Sequence, residues 1–384
     1  MNTEYNVVVV GGGASGLLCA GLLAESGISV LLCEKNNKIG KKLAATGNGR
    51  CNFTNYDLNT EYYYGDKSWI GQLIQRYPTK AIVKQFEELG IYSREKDGYV
   101  YPYTNQASTV VDALHLFCKE HGVDILMDCR VSNIEIDKRR SGYVVRAGGT
   151  SVYCHYVVLS TGGKAGKEQG GDGNGYQLAK CLGHTISPIY AGLTGLKCEG
   201  DWWKAVAGTR VQGRFSLVCG GERYEGECGE IQIVKDGVSG IPVFQLCRIA
   251  DEKICSGNSV YGEIDFVPPM NEDELSVWVS EHGIDGLVPA KWKSVLEKRK
   301  HRLKNLKHFS FVIQETFGLE RAQVSAGGIP VGEVCVETME SKISPGLYLT
   351  GEIIDIDGKC GGYNLHFAWS TAMAVSKAII NKKE

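Results

Sequence analysis

The chain has 384 residues, 42 Lys/Arg against 44 Asp/Glu, a net charge of −2 and 43% hydrophobic residues. That balance excludes a generally basic nucleic-acid binder, and 9 prolines without a G-X-Y period exclude collagen-like and Pro/Gly-rich disordered chains. The 49 glycines exceed the number expected from average usage by roughly 22, a surplus that fits backbone turning tightly or approaching a ligand closely.

Tyr5 to Val10 is a short β-branched run, as in a buried parallel strand. Gly11 to Gly16 form a turn, Leu17 to Ser26 read as a helix, and Gly27 stands where a helix-ending glycine belongs. Ile28 to Cys33 is the next strand, ending at Glu34, which completes a βαβ unit. Val7 to Ala24 is an uncharged run of 18 residues, but its glycines and the lack of a basic leader argue against a membrane helix or secretion signal. Lys38 to Asn55 reads as a polar loop, and Ser68 to Gly90 and Thr109 to His121 show helical spacing. Val131 to Asp137, Tyr143 to Ala147 and Val152 to Leu159 read as a β-meander running into Ser160-Thr161-Gly162-Gly163.

After His184 the texture changes. Residues 190–270 read as β-rich and 271–322 as mainly helical; strand-and-glycine texture then returns, closed by a helix from Ala368 to Ile380. The expected architecture is a discontinuous nucleotide-binding domain, 1–189 with 323–384, carrying an inserted domain, 190–322. The 14 cysteines include no C-x-x-C pair, which argues against structural zinc and dithiol redox chemistry and fits a reducing cytoplasm. No carboxylate or histidine cluster suggests a metal.

Gly11-Gly12-Gly13-Ala14-Ser15-Gly16 matches G-x-G-x-x-G after a strand and before a helix, with Glu34 placed 18 residues beyond Gly16. Gly11 makes the turn, Gly13 admits a pyrophosphate, Gly16 allows helix–strand contact, and the acid suits ribose hydroxyls. The motif alone leaves NAD and FAD open. The meander with its second glycine-bearing strand end favours FAD.

The segments Lys38–Asn55 (K-I-G-K-K-L-A-A-T-G-N-G-R-C-N-F-T-N), Gly229–Gln245, Glu333–Lys342 and Pro345–Ser370 (P-G-L-Y-L-T-G-E-I-I-D-I-D-G-K-C-G-G-Y-N-L-H-F-A-W-S) resemble the BaiN/RdsA family of flavoproteins. The resemblance covers nearly the whole chain. It implies an α/β fold: a glutathione-reductase-type FAD-binding Rossmann domain with a β-meander, plus an inserted β-rich domain with a helical part. It also implies FAD, with NADH or NADPH as transient electron donor. Carried over by position, Gly11, Gly13, Ala14, Ser15 and Gly16 hold the pyrophosphate, with Glu34 and Lys35 at the adenosine ribose and Val131 at the adenine. Thr161 and Gly162 pass near the pyrophosphate, and Lys42, Gly49 and Arg50 lie in the motif loop. Gly351 and Glu352 approach the ribityl chain, and Gly362, Tyr363, Asn364 and Leu365 approach the isoalloxazine at a helix N-terminus. The chain departs from the family pattern at Gly166–Gln169, at Lys235 and at His366, where Gln is usual.

Cys51, Tyr101, Tyr103 and His366 are the candidate proton donors. Each also has a plain structural reading: a loop cysteine, packing tyrosines, a satisfied histidine. Alternation puts Tyr99, Tyr101 and Tyr103 on one face of an extended segment. Lys291 to His308 holds eight Lys/Arg and one Glu. It is a candidate RNA contact, with a solvated helix face as the default. The expected protein is a cytoplasmic FAD-dependent oxidoreductase passing hydride to a polarised C=C bond, without a membrane partner. The acceptor is uridine in ribosomal RNA or a small unsaturated steroid-type acid. A third reading is a flavin-binding, ribosome-associated protein with little turnover.

Overall fold

A computed structural model describes residues 3–299 and 301–382. It divides the chain into two compact units, residues 1–189 with 325–384, and residues 190–324.

The first unit is built on a seven-stranded mixed sheet. Strand Glu4–Val10 lies at its centre, parallel to Val30–Cys33 on one side and Thr150–Leu159 on the other. Asp124–Leu126 extends the sheet in parallel beyond Val30–Cys33, and Leu347–Leu349 pairs in parallel with the end of Thr150–Leu159. Val131–Asp137 and Gly142–Ala147 complete the antiparallel meander. Val7, Val8, Val9, Leu31, Leu32, Val157, Val158 and Leu159 are all fully buried, as a sheet covered on both faces requires. Each such side chain contributes about 1.5–3 kcal/mol of burial.

Helix Ala14–Glu25 follows the glycine turn and begins three residues earlier than the apolar spacing suggests, because Ala14, Ser15 and Gly16 carry no periodic signal. It lies beside the long closing helix Tyr363–Asn381, where Ser376 Oγ donates to the Cys19 carbonyl at 3.4 Å. That helix starts at Tyr363 rather than Ala368, and Gly362 precedes it with φ +92°. Pro78 splits the helical stretch 68–90 into Lys67–Arg76 and Thr79–Glu88, since a proline ring ends one helix and is tolerated at the start of the next. The expected polar loop 38–55 contains a kinked helical segment, Lys41–Gly49, with left-handed backbone at Gly47 and Asn48.

The second unit contains a closed six-stranded barrel. Helix Ile241–Cys255 lies within the half expected to be β-rich, with Pro242 in its first turn, the helix position where proline costs least. Within 271–322 lie the helices Glu272–His282, Ala290–Glu297 and Arg302–Lys307 and the barrel strand Phe309–Thr316. Phe309, Phe311 and Ile313 point inward at period two, a pattern obscured by the basic run before it. The barrel core is aromatic: Trp203 meets Phe311 at 4.8 Å, and Trp292 meets Phe266 at 4.9 Å and Phe309 at 5.2 Å. A cleft of about 500 Å³ in this unit is lined by Val211, Phe266, Pro268, Leu287 and Pro289, with Arg210. Among the described residues no helix is long and apolar enough to cross a membrane.

Candidate functional site

The carboxyl ends of the parallel strands gather the glycine segments into one cradle. Gly11 adopts φ +110°, and a Cβ there would stand 2.5 Å from the Ser160 carbonyl oxygen. At Gly16 a Cβ would come within 1.9 Å of the Gly11 carbonyl oxygen, and at Gly175 within 1.8 Å of Thr161 Oγ1. These glycines let strand ends and helices touch. Gly13 and Gly162 differ: added Cβ atoms would meet nothing within 4 Å. They leave open room at the cradle's surface, where a ligand can approach backbone.

Two helix N-termini serve this cradle. Neither Ala14–Glu25 nor Tyr363–Asn381 has a side-chain cap. Among the described residues, the N–H groups of Ala14, Ser15 and Gly16, and of Asn364 and Leu365, donate to no acceptor within the chain. Thr350–Gly351 runs between the two helices. Thr350 Oγ1 donates to Ser15 Oγ at 3.0 Å, and the Gly351 N–H donates to Thr371 Oγ1 at 3.0 Å. Unpartnered N–H groups and a positive dipole end at each of these helix starts can receive an anionic group.

Glu34 is buried at the end of its strand. Its Oε2 accepts from the Gly12 N–H at 2.8 Å, and its Oε1 accepts from Asn36 N and Nδ2 at 2.7 and 2.6 Å. Three of about four carboxylate acceptor positions are used, so Oε2 keeps one for a further hydroxyl. The glycine-turn bond was not visible in the motif spacing. Lys35 pairs with Asp172 at 2.6 Å, and Arg130 holds the other oxygen of Asp172 at 2.6 Å. Partial burial opposes ionisation of Asp172, but Lys35, the Asn174 N–H and Arg130 together hold it down to about 2. Val131 is buried, and its carbonyl accepts from Asn174 Nδ2 at 3.0 Å. Asp172 and Asn174 had no sequence signal beyond their glycine-rich loop.

Lys42 pairs with Glu352 at 2.7 Å, and the other Glu352 oxygen accepts from the Ser325 N–H at 2.8 Å. The Asn364 amide clamps Gly358 from both sides, accepting from its N–H at 2.8 Å and donating to its carbonyl at 2.7 Å. Tyr363 is buried against Tyr62, with ring centroids 5.0 Å apart, and Leu365 is half-buried. Gly49 has φ +80°, and Arg50 Nε donates to the Gly47 carbonyl at 3.2 Å.

The four proton-donor candidates fall in different environments. Cys51 is fully buried, and burial pushes its thiol up to about 12, with Thr46 opposing. His366 shares a 2.8 Å hydrogen bond between Nδ1 and Thr54 Oγ1, while Nε2 has no hydrogen-bond partner. Burial pulls His366 down to about 4, with the Tyr77 backbone opposing. Tyr101 is half-buried between Arg50 and Arg94, whose guanidinium carbons stand 5.8 and 5.9 Å from its ring. Tyr103 is 66% exposed, lies beyond the strand Tyr99–Pro102, and meets Tyr92 at 5.5 Å. Thus Tyr99 and Tyr101 share a strand face, while Tyr103 extends it past the strand end.

The basic stretch is less free than its composition suggests. Trp292 is buried, and Lys307 is buried with Asp265 at 2.7 Å and the carbonyls of Val267 and Met270. Lys293 pairs with Asp285 at 2.8 Å, and the Arg299 guanidinium sits 3.9 Å from the Phe309 ring centre. Lys300 lies outside the described residues. A separate polar cluster joins His184 to Glu333 at 2.7 Å and to Ser341 Oγ at 2.9 Å. Ser341 Oγ also accepts from the N–H groups of Ile343 and Ser344 at 3.0 and 2.8 Å.

FAD fits what the cradle offers: open backbone at Gly13 and Gly162, two uncapped helix N-termini, a spare acceptor on Glu34, and the partnerless buried oxygens Asn52 Oδ1 and Asp355 Oδ1. Fold and site together define an oxidoreductase built on a Rossmann-type FAD-binding domain. The family model described as the HI0933-like protein Rossmann domain matches residues 5–378, and the chain belongs to that family. It is 33% identical to the 3-dehydro-bile acid delta(4,6)-reductase of Clostridium scindens, over 96% of this chain and 98% of the relative. It is 28% identical to the ribosomal RNA dihydrouridine synthase of Haemophilus influenzae, over 97% and 98%. Among solved structures, a 3-ketosteroid-delta4-(5alpha)-dehydrogenase from Rhodococcus jostii has the same fold, with a TM-score of 0.55 at 15% identity over 98% of this chain and 97% of that one.

Proposed function

We propose that the chain takes hydride from NADH or NADPH and passes it to a C=C bond conjugated with a carbonyl. Uridine in ribosomal RNA is the first acceptor and an unsaturated steroid-type acid the second. The carrying observation is the uncapped N-terminus of Ala14–Glu25, which follows the glycine turn after the central strand Glu4–Val10, together with a second uncapped N-terminus at Tyr363–Asn381. The relatives named above act on a bile acid and on ribosomal RNA, and both acceptor types hold an alkene polarised by a carbonyl.

When bound, FAD supplies two-electron hydride transfer. The chain's residues do the rest. Gly11, Gly13, Ala14, Ser15 and Gly16, with Thr161 and Gly162, bring backbone to the pyrophosphate, and the helix end carries positive potential there. Glu34 offers its spare acceptor to the ribose, with Lys35 held beside it by Asp172. Val131 borders the adenine. Lys42, Glu352 and Gly351 line the ribityl side, and Gly49 and Arg50 border the loop. Asn364 holds Gly358 so that the second helix end, with Gly362, Tyr363 and Leu365, faces the ring system. Cys51 keeps its proton through the neutral range and His366 stays neutral there. Tyr101, flanked by two cations and half-exposed, is the hydroxyl a substrate reaches.

The sequence has one dinucleotide fingerprint, so nicotinamide and acceptor alternate at one place, and steady-state plots run parallel. Intersecting lines would contradict this. Anaerobic NADH or NADPH should bleach the visible flavin band; an unbleached flavin removes the reductase reading. Mass spectrometry of ribosomal RNA from a deletion strain should show one dihydrouridine replaced by uridine, and unchanged RNA transfers the proposal to the steroid-type acid.

A further inference from the structure

Resting on that reductase reading, we propose that the small sheet formed by Thr54–Asn55, Tyr99–Pro102 and Ser93–Lys96 is a docking face for single-stranded RNA, holding bases by stacking and phosphates by charge. Its register places Arg94 opposite Tyr101 and Lys96 opposite Tyr99. Strand alternation turns these four side chains to one face and Val100 and Pro102, both buried, to the other. The outward face is therefore no unfinished core.

Tyr92 and Tyr103 add an aromatic rung at one end, 5.5 Å apart and 70% and 66% exposed. Arg50 joins from the cradle loop, 5.8 Å from the Tyr101 ring. Among the described residues, four of the five exposed tyrosines, Tyr56, Tyr92, Tyr99 and Tyr103, lie in or beside this sheet. The face thus alternates aromatic rings with Arg50, Arg94 and Lys96. Same-face rungs along a strand are about 7 Å apart, which suits an extended sugar–phosphate chain.

Stacking on exposed rings with interleaved cations is how single-stranded nucleic acid is held without base-specific contacts. A steroid-type acid has alicyclic rings and one carboxylate, so it would use neither the succession of rings nor three cations. Of the acids in and beside the hairpin, Glu95 lies on the Val100 side and accepts from the Gly98 N–H at 2.6 Å, Asp97 sits in the turn, and Asp57 accepts from the Tyr62 hydroxyl at 2.7 Å. The face also adjoins the redox end of the cradle. Asn55 Nδ2 donates to the Gly361 carbonyl at 3.0 Å, and a Cβ at Gly362 would stand 2.8 Å from the Thr54 carbonyl oxygen. A strand of RNA on this face has a neighbouring base within reach of that end.

The test is fluorescence anisotropy of the FAD-loaded, full-length protein with a labelled, uridine-rich single-stranded RNA. Tyr103→Leu and Arg94→Ala should each weaken binding at least about tenfold, and Tyr103→Phe should restore it. The slope of log affinity against log salt should be about −2 for three phosphate contacts. No binding by the parent protein, equal binding by the variants, or a loss that Phe fails to rescue would overturn the proposal. So would variants that change only the half-saturation for a steroid-type acid. Flavin content and bleaching by NADH or NADPH are read on the same samples: bleaching without RNA binding sinks this inference alone, and RNA binding without bleaching sinks only the reductase reading.

Discussion

In the inserted barrel, aromatic side chains fill the core and buried polar groups find partners within the chain, whereas the Rossmann unit leaves polar atoms waiting. Of the eight partnerless buried side-chain atoms among the described residues, seven lie in the Rossmann unit and one, Arg214 Nε, in the barrel. Such an atom costs about 1–3 kcal/mol if nothing satisfies it. The Rossmann unit therefore carries a deficit that a polar ligand can relieve, and the barrel carries almost none. Both units have a buried apolar core; they differ in how completely their buried polar atoms are satisfied.

The comparison breaks most visibly at Trp292. Its indole is fully buried among Phe266, Phe309, Trp202 and Trp203, and Nε1 donates to Thr209 Oγ1 at 3.1 Å. Trp292→Ala should cost about 3–5 kcal/mol in urea unfolding while the folded fraction keeps its flavin; a variant that stays folded but loses FAD would undo the contrast.

Next comes His366. An unfolded histidine titrates near pH 6.5 and this one near pH 4 in the fold. The unfolded chain therefore binds more protons in that window, so stability is complete above about pH 6.5 and falls by about 3 kcal/mol as pH drops to about 4. Denaturant midpoints measured across this range should show the loss, and His366→Gln should flatten it.

The smallest effect on stability is at Gly13, with φ −85° and open space around its Cβ position. Gly13→Ala should cost no more than about 1 kcal/mol yet weaken FAD binding at least about tenfold by keeping the pyrophosphate from the backbone. Equilibrium dialysis of FAD checks it. Unchanged affinity would mean that the open side of Gly13 faces no ligand.

The Rossmann core was legible because Tyr5–Val10, the glycine turn and the meander carry strong local signals: β-branched runs, period-two alternation and glycines at fixed offsets. Phe309–Thr316 does not read as a strand in the sequence because its alternation is brief and follows a run rich in Lys and Arg. Apolar spacing alone begins the closing helix at Ala368, because Tyr363, Asn364 and Leu365 show no apolar period; the family resemblance is what puts a helix N-terminus at 362–365, where Tyr363–Asn381 starts. At the site, motif spacing pointed to Gly11, Gly13, Gly16 and Glu34. It did not show that Glu34 bonds the Gly12 N–H, that Asp172 joins Lys35 to Arg130, or that Nε2 of His366 lacks a partner. Those facts arise from segments far apart in sequence.

The cluster of Ser341, His184 and Glu333 has the side-chain order of a hydrolase triad. The chemistry is already spent. Both Ser341 lone pairs hold backbone N–H donors, and its one proton is available only to His184 Nε2. An oxygen so occupied has no electron pair left with which to open an ester, and the same trio works as a rivet, fastening the turn at 341–344 to the chain beside His184.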